Sequence, residues 1–145
     1  VMAGGISAEE ERLLADPRHA GMVEHAGALP RPAALALQRS AGALVVLAAG
    51  ARSIATGKLF EYLAARRPVL VLGEDSEAAR IVESAGAGIA APADDPGAIA
   101  AAIDRLAAGE VVPSGENLER YGWPALAERY AEVLARAVAR RYQVR

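Results

Sequence analysis

The chain has 145 residues, 53% of them hydrophobic but only 4% aromatic, and 16 basic against 18 acidic side chains leave a net charge of -2. That length suits one domain with a core of its own, held without disulfides or metals. The lack of cysteine excludes a disulfide framework, a thiolate zinc site and a cysteine nucleophile, and no basic stripe marks a nucleic-acid footprint.

The chain opens Val1-Met2-Ala3, read as the remnant of a strand, with no basic n-region that would make a signal peptide. There is no room for a strand before it, so the expectation is a fragment of a longer protein whose first βα unit is missing. A helix follows from Ser7 to Ala15, then a weak strand from Gly21 to His25 and a helix from Arg31 to Gln38. The longest apolar run, about Ala41 to Ala51, contains the strand Ala43 to Ala48 and falls short of the ~20 residues that span a bilayer. A soluble, cytoplasmic protein is expected.

The next helix runs from Thr56 to Ala65, followed by a strand from Pro68 to Leu72, a helix from Ser76 to Ala85 and a short strand from Gly88 to Ala91. The strands at Ala43 and Pro68 are continuously apolar, as central strands covered on two faces must be. Helices from Pro96 to Ala107 and from Pro124 to Arg140 finish the chain, separated by a loop over Gly109 to Gly115. Asp95 before Pro96 is an N-cap followed by proline at the first helical position, Ser76 caps in the same way, and Gly86 sits where a left-handed C-cap is wanted. Five strands, one truncated, alternating with helices predict an α/β fold: a Rossmann-like parallel sheet with helices on both faces.

Open parallel sheets bind ligands outside the carboxyl ends of their strands, which directs attention to the loop after Ala48. Gly50 and Gly57 are separated by six residues and Leu59 follows Lys58, so the segment is no P-loop. Gly86-Ala87-Gly88 precedes a strand instead of following one, which makes it a helix cap and not a dinucleotide fingerprint. The remaining candidate is the Thr56 helix itself. Its first-turn N–H groups and the positive end of its dipole face the strand ends, Gly57 lets an anion approach the backbone, and Lys58, the only lysine, places a cation where the dipole disfavours one. Glu61, one turn on from Gly57, is positioned to accept hydrogen bonds from a vicinal diol such as a ribose. On spacing alone the same residues read equally as an exposed helical ion pair, Lys58 with Glu61, beside a buried stripe of Phe60, Leu63 and Ala64.

The string from Thr56 through Lys58, Glu61 and Tyr62 to Pro68-Val69-Leu70 resembles the donor-site helix and following strand of retaining GT-B glycosyltransferases of the group 1 type. The likeness extends to Val23-Glu24-His25-Ala26-Gly27-Ala28-Leu29, to Ala85-Gly86-Ala87-Gly88, to Pro92-Ala93-Asp94-Asp95-Pro96 and to the aromatic lead-in Tyr121-Gly122-Trp123. It implies the C-terminal, nucleotide-sugar-binding domain of that fold over residues 1–145. Glu61 would bind ribose hydroxyls, the backbone around Thr56, Gly57, Lys58 and Leu59 would meet the diphosphate, and main-chain groups near Ala28 and Leu29 would face the base. Many members carry a second glutamate eight positions before the first, touching the transferred sugar; here that position is Ser53. The partners implied are a UDP- or GDP-sugar and an N-terminal acceptor-binding domain that these residues do not contain, with no cofactor, no metal and no catalytic residue in this portion, which alone would be inactive.

His25, near the implied base site, reads as a structural histidine, and Trp123 as a packing anchor for the last helix. Arg136, Arg140, Arg141 and Arg145 cluster at the chain's end, where peripheral contact with the inner face of a membrane is a further expectation. Two alternatives to the transferase remain open: a non-catalytic doubly wound interaction module, and a sugar-nucleotide epimerase domain of the same fold.

Overall fold

The computed structural model describes residues 1–48, 57–114 and 117–143, with side chains described to residue 139. It divides into two units, Val1–Ser40 and Ala41–Arg145. In the first, Ser7 caps α1 (Ala8–Leu14) with a full capping box: its hydroxyl accepts from the Glu10 N–H, and the Glu10 carboxylate accepts from the Ser7 N–H at 2.6 Å. Asp16 and Pro17 then start a single 3-10 turn, Pro17–His19, and α2 covers Arg31–Ser40. The two weak strands expected here reduce to one parallel bridge between Met2 and His25. The Met2 N–H donates to the Glu24 carbonyl at 2.7 Å, and the Ala26 N–H donates to the Met2 carbonyl at 2.8 Å.

The second unit is built on a parallel sheet of β1 (Leu44–Leu47), β2 (Val69–Leu72) and β3 (Gly88–Ala91), in that order. Pairing of Val45 with Leu70 and Leu70 with Ile89, and of Leu47 with Leu72 and Leu72 with Ala91, puts alternate residues of all three strands on common sides. The crossovers are α3 (Gly57–Ala65) and α4 (Glu77–Ser84), while α5 (Pro96–Ala107) follows β3. A 3-10 turn, Leu118–Tyr121, leads to α6 (Trp123–Gln143). The chain is thus α/β with a three-stranded parallel sheet flanked by helices, compatible with a Rossmann-like fold, where five strands were expected.

One side of the sheet, from Val46, Ala48, Val69 and Val71, packs with Leu59 and Leu63 of α3 and with Ala78, Ala79, Ile81 and Val82 of α4. On the other side, Leu70 and Ala91 meet Ala102 of α5, with Leu72, Ile89, Ile99 and Leu106 around them. Fully burying a leucine such as Leu59 or Leu70 contributes about 2 kcal/mol. The second cluster stops at β2. On β1 the residues Val45 and Leu47 are 50% and 77% exposed, which corrects the expectation of a strand covered on two faces. An apolar run records affinity for an interior and not which neighbours supply one.

The end signals of the second unit are local and form as expected. The Ser76 hydroxyl accepts from the Ala79 N–H at 3.1 Å, and the Asp95 carboxylate accepts from the N–H groups of Gly97 and Ala98. Gly86 takes a left-handed φ of 57°, and its N–H and that of Ala87 donate to the carbonyls of Glu83 and Val82, the two reversed bonds of a Schellman ending. Gly88 fills a different need, since a Cβ there would lie 1.9 Å from the Val69 carbonyl oxygen of the adjoining strand.

Among the described residues no helix is long and apolar enough to cross a membrane.

Candidate functional site

Helix α3 is anchored by Leu59 and Leu63, which are 0% and 4% exposed and sit one turn apart against the sheet. Phe60 is half-buried and stacks on Tyr121 at 6.0 Å between ring centroids, tilted by 43°. Of the stripe expected from spacing, Leu63 is buried and Phe60 packs partly buried against the same core, while Ala64 is exposed and Leu59 is buried in its stead. With Leu59 turned inward, Gly57 and Glu61 fall on the opposite side of the helix, one turn apart, and Lys58 lies beside them. Gly57 and Lys58 are exposed and Glu61 is half-buried. Of the expected donor residues, the helix thus brings together Gly57, Lys58 and Glu61 on its outer side. Leu59 has its side chain in the core and only main-chain atoms to offer.

Ser53 and Thr56 lie outside the described residues. Ala28 and Leu29 belong to the first unit, where they follow Gly27, a glycine at φ 66° whose carbonyl accepts from the Gly4 N–H at 2.8 Å. The turn read there from sequence is present. His25 donates from Nε2 to the Gly4 carbonyl at 2.8 Å, a tie that joins the two short extended segments of that unit.

The electrostatics of the strand ends separate the three helices that begin there. The first turn of α4 is preceded by Glu74 and Asp75 and contains Glu77, and its Ala79 N–H is already taken by Ser76. At α5, Asp94 and the capping Asp95 play the same part, with two N–H groups occupied. Helix α3 has no acidic residue in its first turn and carries Lys58 there. A dianion approaching the strand ends would be repelled at α4 and α5 and attracted at α3.

Between the loops after β2 and β3 lies a shallow depression of about 190 Å³, open to solvent and lined by Gly73, Glu74, Asp75, Ser76 and Asp94 among others. None of the described donor residues expected from the sequence lines it. Sequence reasoning passed over Gly73 at its base, which has φ 127° and whose added Cβ would meet the Ala48 carbonyl oxygen at 2.0 Å. The available signal was a glycine placed directly after the apolar run Val69–Leu72. Among the described residues, no group of three or more His, Cys, Asp or Glu side chains is arranged to hold a metal ion.

Tyr62, beside Glu61, has its phenol pushed above the ordinary tyrosine range, first by burial and second by the Glu61 charge. This places the Glu61 carboxylate within electrostatic reach of a half-buried hydroxyl. The packing anchor ahead of α6 is Tyr121. Besides stacking on Phe60, it brings its hydroxyl within 3.3 Å of Ser84 Oγ, whereas Trp123, expected in that role, is 85% exposed. No protein-family model matches the chain, and no curated protein is significantly similar to it.

Proposed function

We propose that this chain is the donor-binding portion of a cytoplasmic glycosyltransferase of the GT-B type, holding a nucleoside diphosphate sugar at the N-terminus of α3. The diphosphate meets the backbone at Gly57, Lys58 and Leu59, the Lys58 ammonium offsets its charge, and Glu61 accepts hydrogen bonds from the ribose hydroxyls. The observation that carries this reading is the contrast among the three helices that follow β1, β2 and β3: of these, α3 alone opens without a carboxylate and with a cation. The resemblance of the Thr56–Leu70 string supplies the ligand class. Transfer of the sugar to a glycan or lipid-linked acceptor then requires an acceptor-binding domain beyond these residues.

Calorimetric titration with UDP and GDP up to millimolar concentration tests it. Binding is expected, and Glu61→Ala should weaken it about ten- to a hundredfold through the lost charge-assisted hydrogen bonds, worth roughly 1.5–3 kcal/mol. Absence of nucleotide binding, also in a longer protein containing the acceptor domain, would sink the proposal. A non-catalytic interaction module is favoured by one sequence observation, Ser53 at the position of the sugar-contacting glutamate. That reading expects neither UDP nor GDP to bind.

A further inference from the structure

Helix α3 sits on the sheet through Leu59 and Leu63, which lie one turn apart and make a single line of contact. A helix seated on one line rolls about its axis unless its flanks are gripped. At about 100° per residue, Phe60 and Tyr62 fall on the two flanks of that line. Both are half-buried against the same core. On the Phe60 flank the grip is Tyr121, whose ring centroid lies 6.0 Å from that of Phe60.

Tyr121 ends the 3-10 turn Leu118–Tyr121, and the segment that contains it is tied to the end of α4. The Ser84 hydroxyl donates to the Ile81 carbonyl at 3.1 Å. Its one proton is thereby engaged, so the Tyr121 hydroxyl, 3.3 Å away, is the donor to Ser84 Oγ. Asn117 Nδ2 donates to the Ser84 carbonyl at 3.4 Å, and the Ser114 N–H donates to the Gly86 carbonyl at 3.1 Å. The turn is thus a bracket fixed on α4 that presents one aromatic ring to α3.

Roll of α3 affects the two halves of a nucleotide differently. First-turn N–H groups point along the helix axis, so a roll leaves their direction toward a phosphate unchanged. The Glu61 carboxylate stands about 5–6 Å off the axis, so a roll of about 20° carries it sideways by about 2 Å. A hydrogen bond, whose heavy atoms lie ~2.7–3.2 Å apart, does not survive that displacement. We propose that Tyr121 is a positioning residue for the nucleotide site: through Phe60 it sets the roll of α3 at which Glu61 reaches the ribose, an inference that rests on the donor-binding reading above.

The test compares UDP with inorganic pyrophosphate, which has no ribose, by calorimetry on the whole chain. Tyr121→Ala should weaken UDP about tenfold, the worth of one charge-assisted hydrogen bond, and leave pyrophosphate within about twofold of wild type. Tyr121→Phe keeps the ring on Phe60 and should keep most of the UDP affinity. Added to Glu61→Ala, Tyr121→Ala should cost UDP nothing further, because the contact it positions is already gone. Phe60→Leu removes the ring on the other side and should repeat the pattern, which keeps the test decisive if Tyr121→Ala does not fold. Equal losses for UDP and pyrophosphate, additive losses in the double variant, or unchanged UDP affinity in folded Tyr121→Ala overturn the inference and leave the donor reading standing. Absence of UDP binding by the wild type, alone or joined to the acceptor domain, overturns both.

Discussion

Replacing Gly57 by alanine adds one methyl group to the first turn of α3. The structure assigns that methyl opposite effects on stability and on the proposed ligand. Among the described residues, a Cβ built on Gly57 meets no heavy atom within 4 Å beyond its own turn, and the residue is exposed and helical without a positive φ. The folded state therefore accepts alanine without strain, while the unfolded chain loses some of glycine's freedom. Gains of this kind run to about 0.4–1 kcal/mol, or a rise of ~1–3 °C in Tm for a chain of this size. The proposed diphosphate depends on that open space. A methyl beside the first-turn N–H groups holds phosphate oxygens off the backbone and removes at least one charge-assisted hydrogen bond, so UDP or GDP should bind about ten- to a hundredfold more weakly. Thermal unfolding and calorimetry on the same pair of proteins measure both quantities. A lowered Tm would refute the geometry of the first turn. A raised Tm with unchanged nucleotide affinity would refute the placement of the diphosphate on α3.

Gly88→Ala is expected to behave oppositely, costing about 3 kcal/mol or more in denaturant titration. Its Cβ would press on the Val69 backbone at 1.9 Å, and relief requires β3 to move off β2. Arg66 ends α3 at a left-handed φ of 54°, its N–H donating to the Leu63 carbonyl at 3.1 Å, so Arg66→Gly should stabilise by about 0.5–1 kcal/mol in the same assay. Unchanged or lower stability would show that Arg66 is held there by contacts worth more than the strain. The raised Tyr62 pKa means that the folded state holds the phenolic proton more tightly than the unfolded chain. The stabilisation this represents is complete below pH 10.0 and is lost as pH rises through the higher folded value. Glu61→Gln should bring the Tyr62 phenolate transition down in an alkaline absorbance titration with Tyr62→Phe as the blank. No movement would place the Glu61 charge away from Tyr62.

Much of the second unit was legible because its signals act within a few residues. Ser76, Asp95 and Gly86 set helix ends through hydrogen bonds to N–H or carbonyl groups no more than about a turn away, and each does so where expected. The strands at Leu44, Val69 and Gly88 were equally plain as short apolar runs. The outer side of α3 followed from its period, since Gly57 and Glu61 are one turn apart in any α-helix. In the first unit the pattern overreached: two stretches read as strands share a single bridge, because a strand needs a neighbour in register over several residues and apolar content alone does not supply one.

The sequence by itself therefore determined the alternation of helix and strand, the caps, and the grouping of Gly57, Lys58 and Glu61 on one helical side, all consequences of spacing along the backbone. Tertiary structure alone decided that Leu59 turns into the core, that Val45 and Leu47 of β1 stay open to solvent, and that Tyr121 rather than Trp123 packs against Phe60. It also decided that Glu74, Asp75 and Asp94, from different loops, line one depression. Burial, close backbone approach and summed charge depend on which distant segments become neighbours, and no periodicity in one segment encodes that.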